Sequence, residues 1–285
     1  MNTVEIKETI ERLGLHPNRR LGQNFLVSRE AREKIVGAME CTGADRVLEI
    51  GPGLGSLTEL LVERAGHVTA MEIDAGFCRY LADRFGAREN FTLVHGDFLK
   101  NPPPDTFNKI VSNLPYYCSS EILFEFTRYR ATPVYVMLQK EVAGRITAAP
   151  GSKSYGALTV TLGFYYEARR LLTVPRESFY PRPDVTSSFL VLSRRPSLPL
   201  EGNDVDLFHR LVKSAFWGRR KTIVAALTGS PHLDLDRGGA ARILAAAGVD
   251  GARRGEELTR EEYVALARAM GTENISRRGA ETQGE

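Results

Sequence analysis

The chain has 285 residues, a formal net charge of +3, 42% hydrophobic and 26% charged residues. This suits one large core plus a smaller folded unit and excludes a fibrous or wholly disordered chain. No apolar run reaches the roughly 18 residues of a transmembrane helix, and Met1 to Arg20 lacks the apolar stretch of a secretory signal. Cys41, Cys78 and Cys118 are scattered and odd in number; they read as reduced thiols of a cytoplasmic protein, with neither a disulfide framework nor a metal site.

In chain order, residues 1–27 read as an N-terminal arm, and Ser28 as the N-cap of a helix running to Met39. Strands are predicted at Arg46–Ile50, His67–Met71, Phe91–His95, Lys109–Ser112 and Val134–Leu138, with helices near Leu57–Arg64, Ala75–Phe85, Ser119–Arg128 and Lys140–Ala148. This alternation predicts a parallel sheet covered by helices on both faces. Ala157–Tyr166 and Thr186–Leu192 read as an antiparallel pair closing one edge, which gives seven strands, five of them parallel. A linker with Pro196, Pro199 and Gly202 follows. Helices are then predicted at Val205–Phe216, Arg219–Leu227, Ala240–Ala247 (stopped by Gly248) and Tyr263–Met270, the last behind the capping box Thr259-Arg260-Glu261-Glu262. The expected organisation is an arm (1–27), an α/β Rossmann-like domain (28–195), a linker (196–204), a small helical domain (205–271) and a disordered polar tail (272–285).

Chemistry concentrates at the predicted strand ends. Glu49-Ile50-Gly51-Pro52-Gly53-Leu54-Gly55 turns from strand to helix, and its glycines, Gly51 and Gly53 among them, let a ligand approach the backbone. A dinucleotide fingerprint needs its third glycine at position 56, which is Ser56. Glu72 ends the next strand, where a carboxylate can accept ribose hydroxyls. Asp74 reads better as the N-cap of the following helix. Asp97 with the Phe98 N–H can meet the donor and acceptor edge of an adenine. Asn113-Leu114-Pro115-Tyr116 ends the fourth strand. An exocyclic aromatic amine is a poor nucleophile because its lone pair is delocalised. Two acceptors, the Asn113 side-chain oxygen and the Leu114 carbonyl, would favour a localised lone pair. Pro115 fixes the turn, and Tyr116 offers a face for a flipped base. The basic run Arg219-Arg220-Lys221, after Trp217-Gly218, reads as a phosphate-binding cluster, with a solvated surface as the bland alternative.

At these residues the chain resembles the KsgA/RsmA ribosomal RNA adenine dimethyltransferase family, whose relatives include Erm and Dim-type enzymes. The resemblance rests on Gly22-Gln23-Asn24-Phe25-Leu26, Glu49 to Gly55, Glu72-Ile73-Asp74, Gly96-Asp97, Asn113 to Tyr116, Gln139-Lys140-Glu141-Val142 and Phe179-Tyr180-Pro181-Arg182-Pro183-Asp184-Val185. It implies S-adenosyl-L-methionine as cofactor, with Asn24, Leu26, Gly51, Glu72, Asp97 and Asn113 as its contacts. It implies Phe179 as a second aromatic wall facing Tyr116. The implied reaction is dimethylation of the 6-amino groups of two adjacent adenosines in the 3′-terminal hairpin of small-subunit ribosomal RNA. The partners so implied are that RNA and the pre-30S particle; a monomer without membrane attachment is expected. Cys118-Ser119-Ser120 departs from the family pattern, and the Asn expected after Arg219-Arg220-Lys221-Thr222-Ile223 is absent. Three rival readings are an Erm-like large-subunit methylase, a non-catalytic nucleic-acid-binding relative and a dehydrogenase. The Gln139–Val142 block and Gly151-Ser152-Lys153-Ser154-Tyr155-Gly156 favour the small-subunit group. The intact tetrad favours catalysis, and Ser56 disfavours the dehydrogenase.

Overall fold

The computed structural model describes residues 3–14, 24–115, 118–129 and 133–281, with side chains through Glu273. Two compact units are present: Met1–Ala143 with Glu167–Arg194, and Gly144–Tyr166 with Arg195–Glu285. Residues 144–166, expected in the sheet domain, thus cluster with the helical unit.

The first unit opens with α1 (Thr3–Arg12), β1 (Phe25–Leu26) and α2 (Arg29–Ala38). The Ser28 side chain accepts from the Ala31 N–H at 3.2 Å and starts α2 as its cap. Next come β2 (Arg46–Ile50), α3 (Thr58–Arg64), β3 (His67–Glu72), α4 (Ala75–Phe85), β4 (Phe91–His95) and β5 (Lys109–Asn113). They are followed by α5 (Ser119–Glu125), β6 (Pro133–Gln139) and α6 (Lys140–Ile146). After α7 (Ala157–Tyr165), the strands β7 (Tyr166–Val174), β8 (Phe179–Tyr180) and β9 (Ser187–Arg194) complete the β-structure. The main sheet has seven strands in the order β4-β3-β2-β5-β6-β9-β7. Strands β4 to β6 are parallel, and β9 pairs antiparallel with β6.

The central strands are buried on both faces, which is why they read as unbroken apolar runs. Val47, Leu48, Val68, Ala70, Val111, Val134 and Val136 are fully buried. The chain winds β2, β3, β4 outward in one direction and β5, β6 in the other. The order therefore reverses between β2 and β5, the place where open α/β sheets leave a ligand crevice.

One predicted strand is of another kind. Residues 157–165 form the helix α7, not a strand, and the edge strand next to β9 is β7, starting at Tyr166. Thr159, Val160, Thr161, Leu162, Phe164 and Tyr165 are all buried, so α7 is apolar nearly all round and shows no helical period in its sequence.

The second unit continues with α8 (Asn203–Trp217), α9 (Ile223–Thr228), α10 (Arg237–Ala246) and α11 (Arg260–Glu281). Phe164 packs on Phe208 with ring centroids 4.5 Å apart, and the Tyr165 hydroxyl meets His209 Nε2 at 2.7 Å. The capping box forms: the Glu262 N–H donates to Thr259 Oγ1 at 3.2 Å, and the Thr259 N–H to Glu262 Oε2 at 2.7 Å. Gly248, just past α10, has φ +68, as a helix stop requires. The polar tail expected to be disordered is instead helical as far as Glu281; residues 282–285 lie outside the described residues.

Candidate active site

The glycine turn follows β2 directly. Gly51 and Gly53 have φ +66 and +57, a region that strains any residue with a Cβ. The Gly51 N–H donates to the Met71 carbonyl at 2.9 Å, which brings the end of β2 beside β3. A Cβ added at Gly51 would meet nothing within 4 Å, so that side of the turn is open to a ligand. A Cβ at Gly53 would lie 3.1 Å from the Phe25 ring. That ring belongs to a small cluster in which Ile6 and Ile10 of α1 pack with Leu54 and Phe77. The predicted arm is therefore partly helical, and its Phe25 packs against the Gly53 side of the turn.

Glu72 ends β3 with a carboxylate only 5% exposed. Its Oε2 accepts from the Gly53 N–H at 3.0 Å, and its Oε1 from the N–H groups of Ile73 (2.9 Å) and Asp74 (3.0 Å). Burial pushes its pKa up, and these three donors oppose the rise. Each carboxylate oxygen has about two acceptor positions, so Oε2 keeps one for a ligand hydroxyl. Ile73, 57% exposed, flanks it with an apolar side chain. Asp74 caps α4, accepting from Gly76 (2.7 Å) and Phe77 (3.1 Å) as expected.

The Gly96 N–H donates to the Glu72 carbonyl at 2.9 Å, which carries the strand-end row on to Asp97. The Asp97 Oδ1 accepts from the Leu99 N–H at 3.0 Å, and Oδ2 lies 3.5 Å from Lys100 Nζ. This acid thus caps its own turn. The Phe98 ring is buried against Phe126 and Tyr129.

On the other side of the switch point, the Ser112 hydroxyl donates to the Ile50 carbonyl at 2.8 Å and ties β5 to β2. Asn113 is next. Its Nδ2 donates one of its two N–H bonds to the Asn24 carbonyl at 3.0 Å, which orients the amide and leaves Oδ1 as the acceptor. The Leu114 N–H donates to the Met137 carbonyl at 3.1 Å, fixing the turn against β6, and the Leu114 side chain is buried. Pro115 is half-buried. Tyr116, with Gly22 and Gln23 of the arm, lies outside the described residues.

Strand β1 pairs antiparallel with β8, matching Leu26 to Phe179. Directly opposed residues share a face, and both turn into the core: Leu26 is 2% and Phe179 4% exposed. Phe179 is therefore a buried ring paired with the arm, and Tyr116, which it was expected to face, lies outside the described residues. Arg219, Arg220 and Lys221 lie in the turn between α8 and α9, because Thr222 starts α9 by accepting from the Ala225 N–H at 3.4 Å. Arg219 is engaged, with Glu256 Oε2 at 2.8 Å and the Lys153 carbonyl at 3.1 Å. Arg220 and Lys221 are exposed and make no ion pair among the described residues.

Sequence reading passed over Glu49. It is 3% exposed in β2, and its Oε2 accepts from the Thr58 hydroxyl at 2.6 Å. Burial pushes its pKa up to about 7; the Glu72 charge adds to this and the Thr58 hydroxyl opposes it. A lone acid inside Arg46-Val47-Leu48-Glu49-Ile50, otherwise apolar after its first residue, was the available signal.

The residues fit an S-adenosylmethionine: an open glycine turn, a buried carboxylate next to an exposed apolar side chain, and an amide held by the arm lie along adjoining strand ends. A dinucleotide turn would need glycine where Ser56 is 9% exposed ahead of α3. The chain is thus a Rossmann-like, S-adenosylmethionine-dependent methyltransferase. The family model described as ribosomal RNA adenine dimethylase matches residues 14–266, and the chain belongs to that family.

Relatives agree. The ribosomal RNA small subunit methyltransferase A of Moorella thermoacetica is 42% identical over 273 residues, covering 90% of this chain and 93% of the relative. The protein of the same description from Geobacillus thermodenitrificans is 37% identical over 276 residues, covering 93% of this chain and 94% of its own. Among solved structures, a dimethyladenosine transferase from Plasmodium falciparum superposes with TM-score 0.77 at 25% identity, covering 88% of this chain and 98% of that one. The 23S rRNA methyltransferase ErmE gives 0.65 at 29% identity, covering 87% and 99%.

Proposed function

We propose that this enzyme transfers methyl groups from S-adenosylmethionine to the 6-amino groups of two adjacent adenosines in the 3′-terminal hairpin of small-subunit ribosomal RNA. It would act as a cytoplasmic monomer on the pre-30S particle. One observation carries the chemical part: Asn113 Nδ2 is held by the Asn24 carbonyl, so Oδ1 is presented as an acceptor at the end of β5. The identities to small-subunit methyltransferases support the choice of subunit. Among the described residues, no helix is long and apolar enough to cross a membrane.

S-adenosylmethionine supplies a methyl group already activated on a sulfonium, so this chain's own task is to orient the amine. Asn113 Oδ1 and the Leu114 carbonyl accept its two N–H bonds and restore lone-pair density on nitrogen. Tyr116 stacks on the flipped adenine, and base–aromatic stacking is worth about 1–3 kcal/mol. Phe179, opposite Leu26, holds the arm that orients Asn113. Glu72, Asp97 and the Phe98 N–H hold the cofactor's nucleoside, while Asn24, Leu26, Gly51 and Gly53 line its approach. Arg220 and Lys221, with Arg219 to a lesser degree, contact phosphates. The test supplies labelled cofactor with small and large ribosomal subunits from a strain lacking this activity. Label is expected in small-subunit RNA; label in the large subunit would instead establish the Erm-like reading.

A further inference from the structure

We propose that Trp217 is a stacking platform for an unpaired base of the ribosomal RNA, distinct from the base taken into the active site. This rests on the reading that the enzyme acts on ribosomal RNA.

Helix α8 buries Leu207, Phe208, Leu211, Val212 and Ala215, then ends on Trp217, which is 59% exposed. An indole left in water forgoes the large burial gain available to an aromatic ring. This one is nonetheless held in place. Its ring stands perpendicular to that of His232, with centroids 5.4 Å apart. His232 is fixed in turn: its N–H donates to Ser230 Oγ at 3.1 Å, and its carbonyl accepts from Arg210 Nε at 2.9 Å. Ser230 Oγ donates to the buried Ser214 Oγ at 2.9 Å, anchoring the support to α8 itself. A perpendicular neighbour covers at most one face of the indole, so the other is available for stacking.

The surroundings specify what would stack there. Arg220 and Lys221 follow within four residues, both exposed. Gly218 brings Lys221 close: a Cβ at Gly218 would meet Lys221 Cδ at 2.9 Å, so the lysine stem folds over the space that glycine leaves. Arg219 is the least available cation, since Glu256 holds it. A rigid aromatic face beside exposed cations is the pairing that single-stranded nucleic acid uses, bases on the ring and phosphates on the cations. A duplex keeps its bases stacked on one another and offers the ring nothing.

Trp217 is the chain's one tryptophan, so emission excited at the long-wavelength edge, where tyrosine does not absorb, reports on this residue alone. The full-length protein would be titrated with an unstructured oligoadenylate and with a fully paired RNA duplex. Binding would be followed independently by anisotropy of labelled RNA. The expected result is quenching by the single strand that saturates with its anisotropy, and unchanged emission with the duplex. Trp217→Ala should weaken oligoadenylate binding about tenfold, while Trp217→Phe stays near the parent. Unchanged emission on a bound single strand, equal quenching by the duplex, or parental affinity in Trp217→Ala would overturn the proposal. A parent enzyme that failed to label small subunits would count against the RNA-substrate reading, not against this platform.

Discussion

Replacing Glu49 by Gln should remove a pH dependence that the fold itself creates. Glu49 is buried in the central strand β2, and its pKa stands at about 7 against an ordinary 4.5. The folded state therefore binds a proton more tightly than the unfolded chain. Between those two values the folded protein holds the proton and the unfolded chain releases it, so stability falls as pH rises. The loss begins near the unfolded value and is complete just above pH 7. Each pH unit of displacement corresponds to about 1.4 kcal/mol, so the whole loss is about 3 kcal/mol. Glutamine is close in shape, stays neutral, and can still accept from the Thr58 hydroxyl. Urea unfolding of parent and Glu49→Gln, followed by circular dichroism between pH 4.5 and 8, is the assay. The stability difference should be small at the acid end and reach about 3 kcal/mol in favour of the variant at pH 8. A difference that stayed constant across this range would refute the reasoning, because Glu49 would then not titrate there.

Glu72→Gln should weaken S-adenosylmethionine binding by about 1.5–3 kcal/mol, the usual worth of a hydrogen bond to a charged group; unchanged affinity by calorimetry would remove Glu72 from the site. The double change Arg220→Ala/Lys221→Ala should reduce the salt dependence of ribosomal RNA binding by about one unit of slope for each phosphate no longer neutralised. Arg219→Ala should reduce it less, because Glu256 already neutralises that guanidinium; an undiminished slope in the double variant would mark a merely solvated surface.

The central strands were legible because they are buried on both faces. Arg46–Ile50 and Phe91–His95 match their predicted bounds, and the others differ by a residue or two at their ends. Asp74, Ser28 and the Thr259 box were legible because short polar side chains at helix starts have one dominant use. The run 157–166 was not, since an apolar helix buried on nearly every side carries no period to set it apart from a strand. Placing the basic run in a helix failed for a related reason: Thr222, not Arg219, supplies the cap, so Gly218 to Lys221 are left as a turn. At the site, the placement of Glu72 and Asn113 at strand ends could be read from spacing. The arm's grip on Asn113 could not, because the Asn24 carbonyl lies 89 residues away in sequence. The burial of Phe179 likewise depends on its pairing with Leu26, a contact between segments far apart in the chain.

Whether Asn113 activates the amine is best decided by single-turnover methyl transfer with Asn113→Ala on small ribosomal subunits. The cofactor must be saturating, and its affinity for the variant measured separately. The substitution removes one acceptor and leaves Leu114, Tyr116 and the basic turn in place. Subunit binding should persist while the transfer rate falls by about 10²–10³, the usual cost of losing an orienting polar contact in the transition state. Transfer at the parental rate would contradict the assignment of Asn113 and, with it, the proposed chemistry.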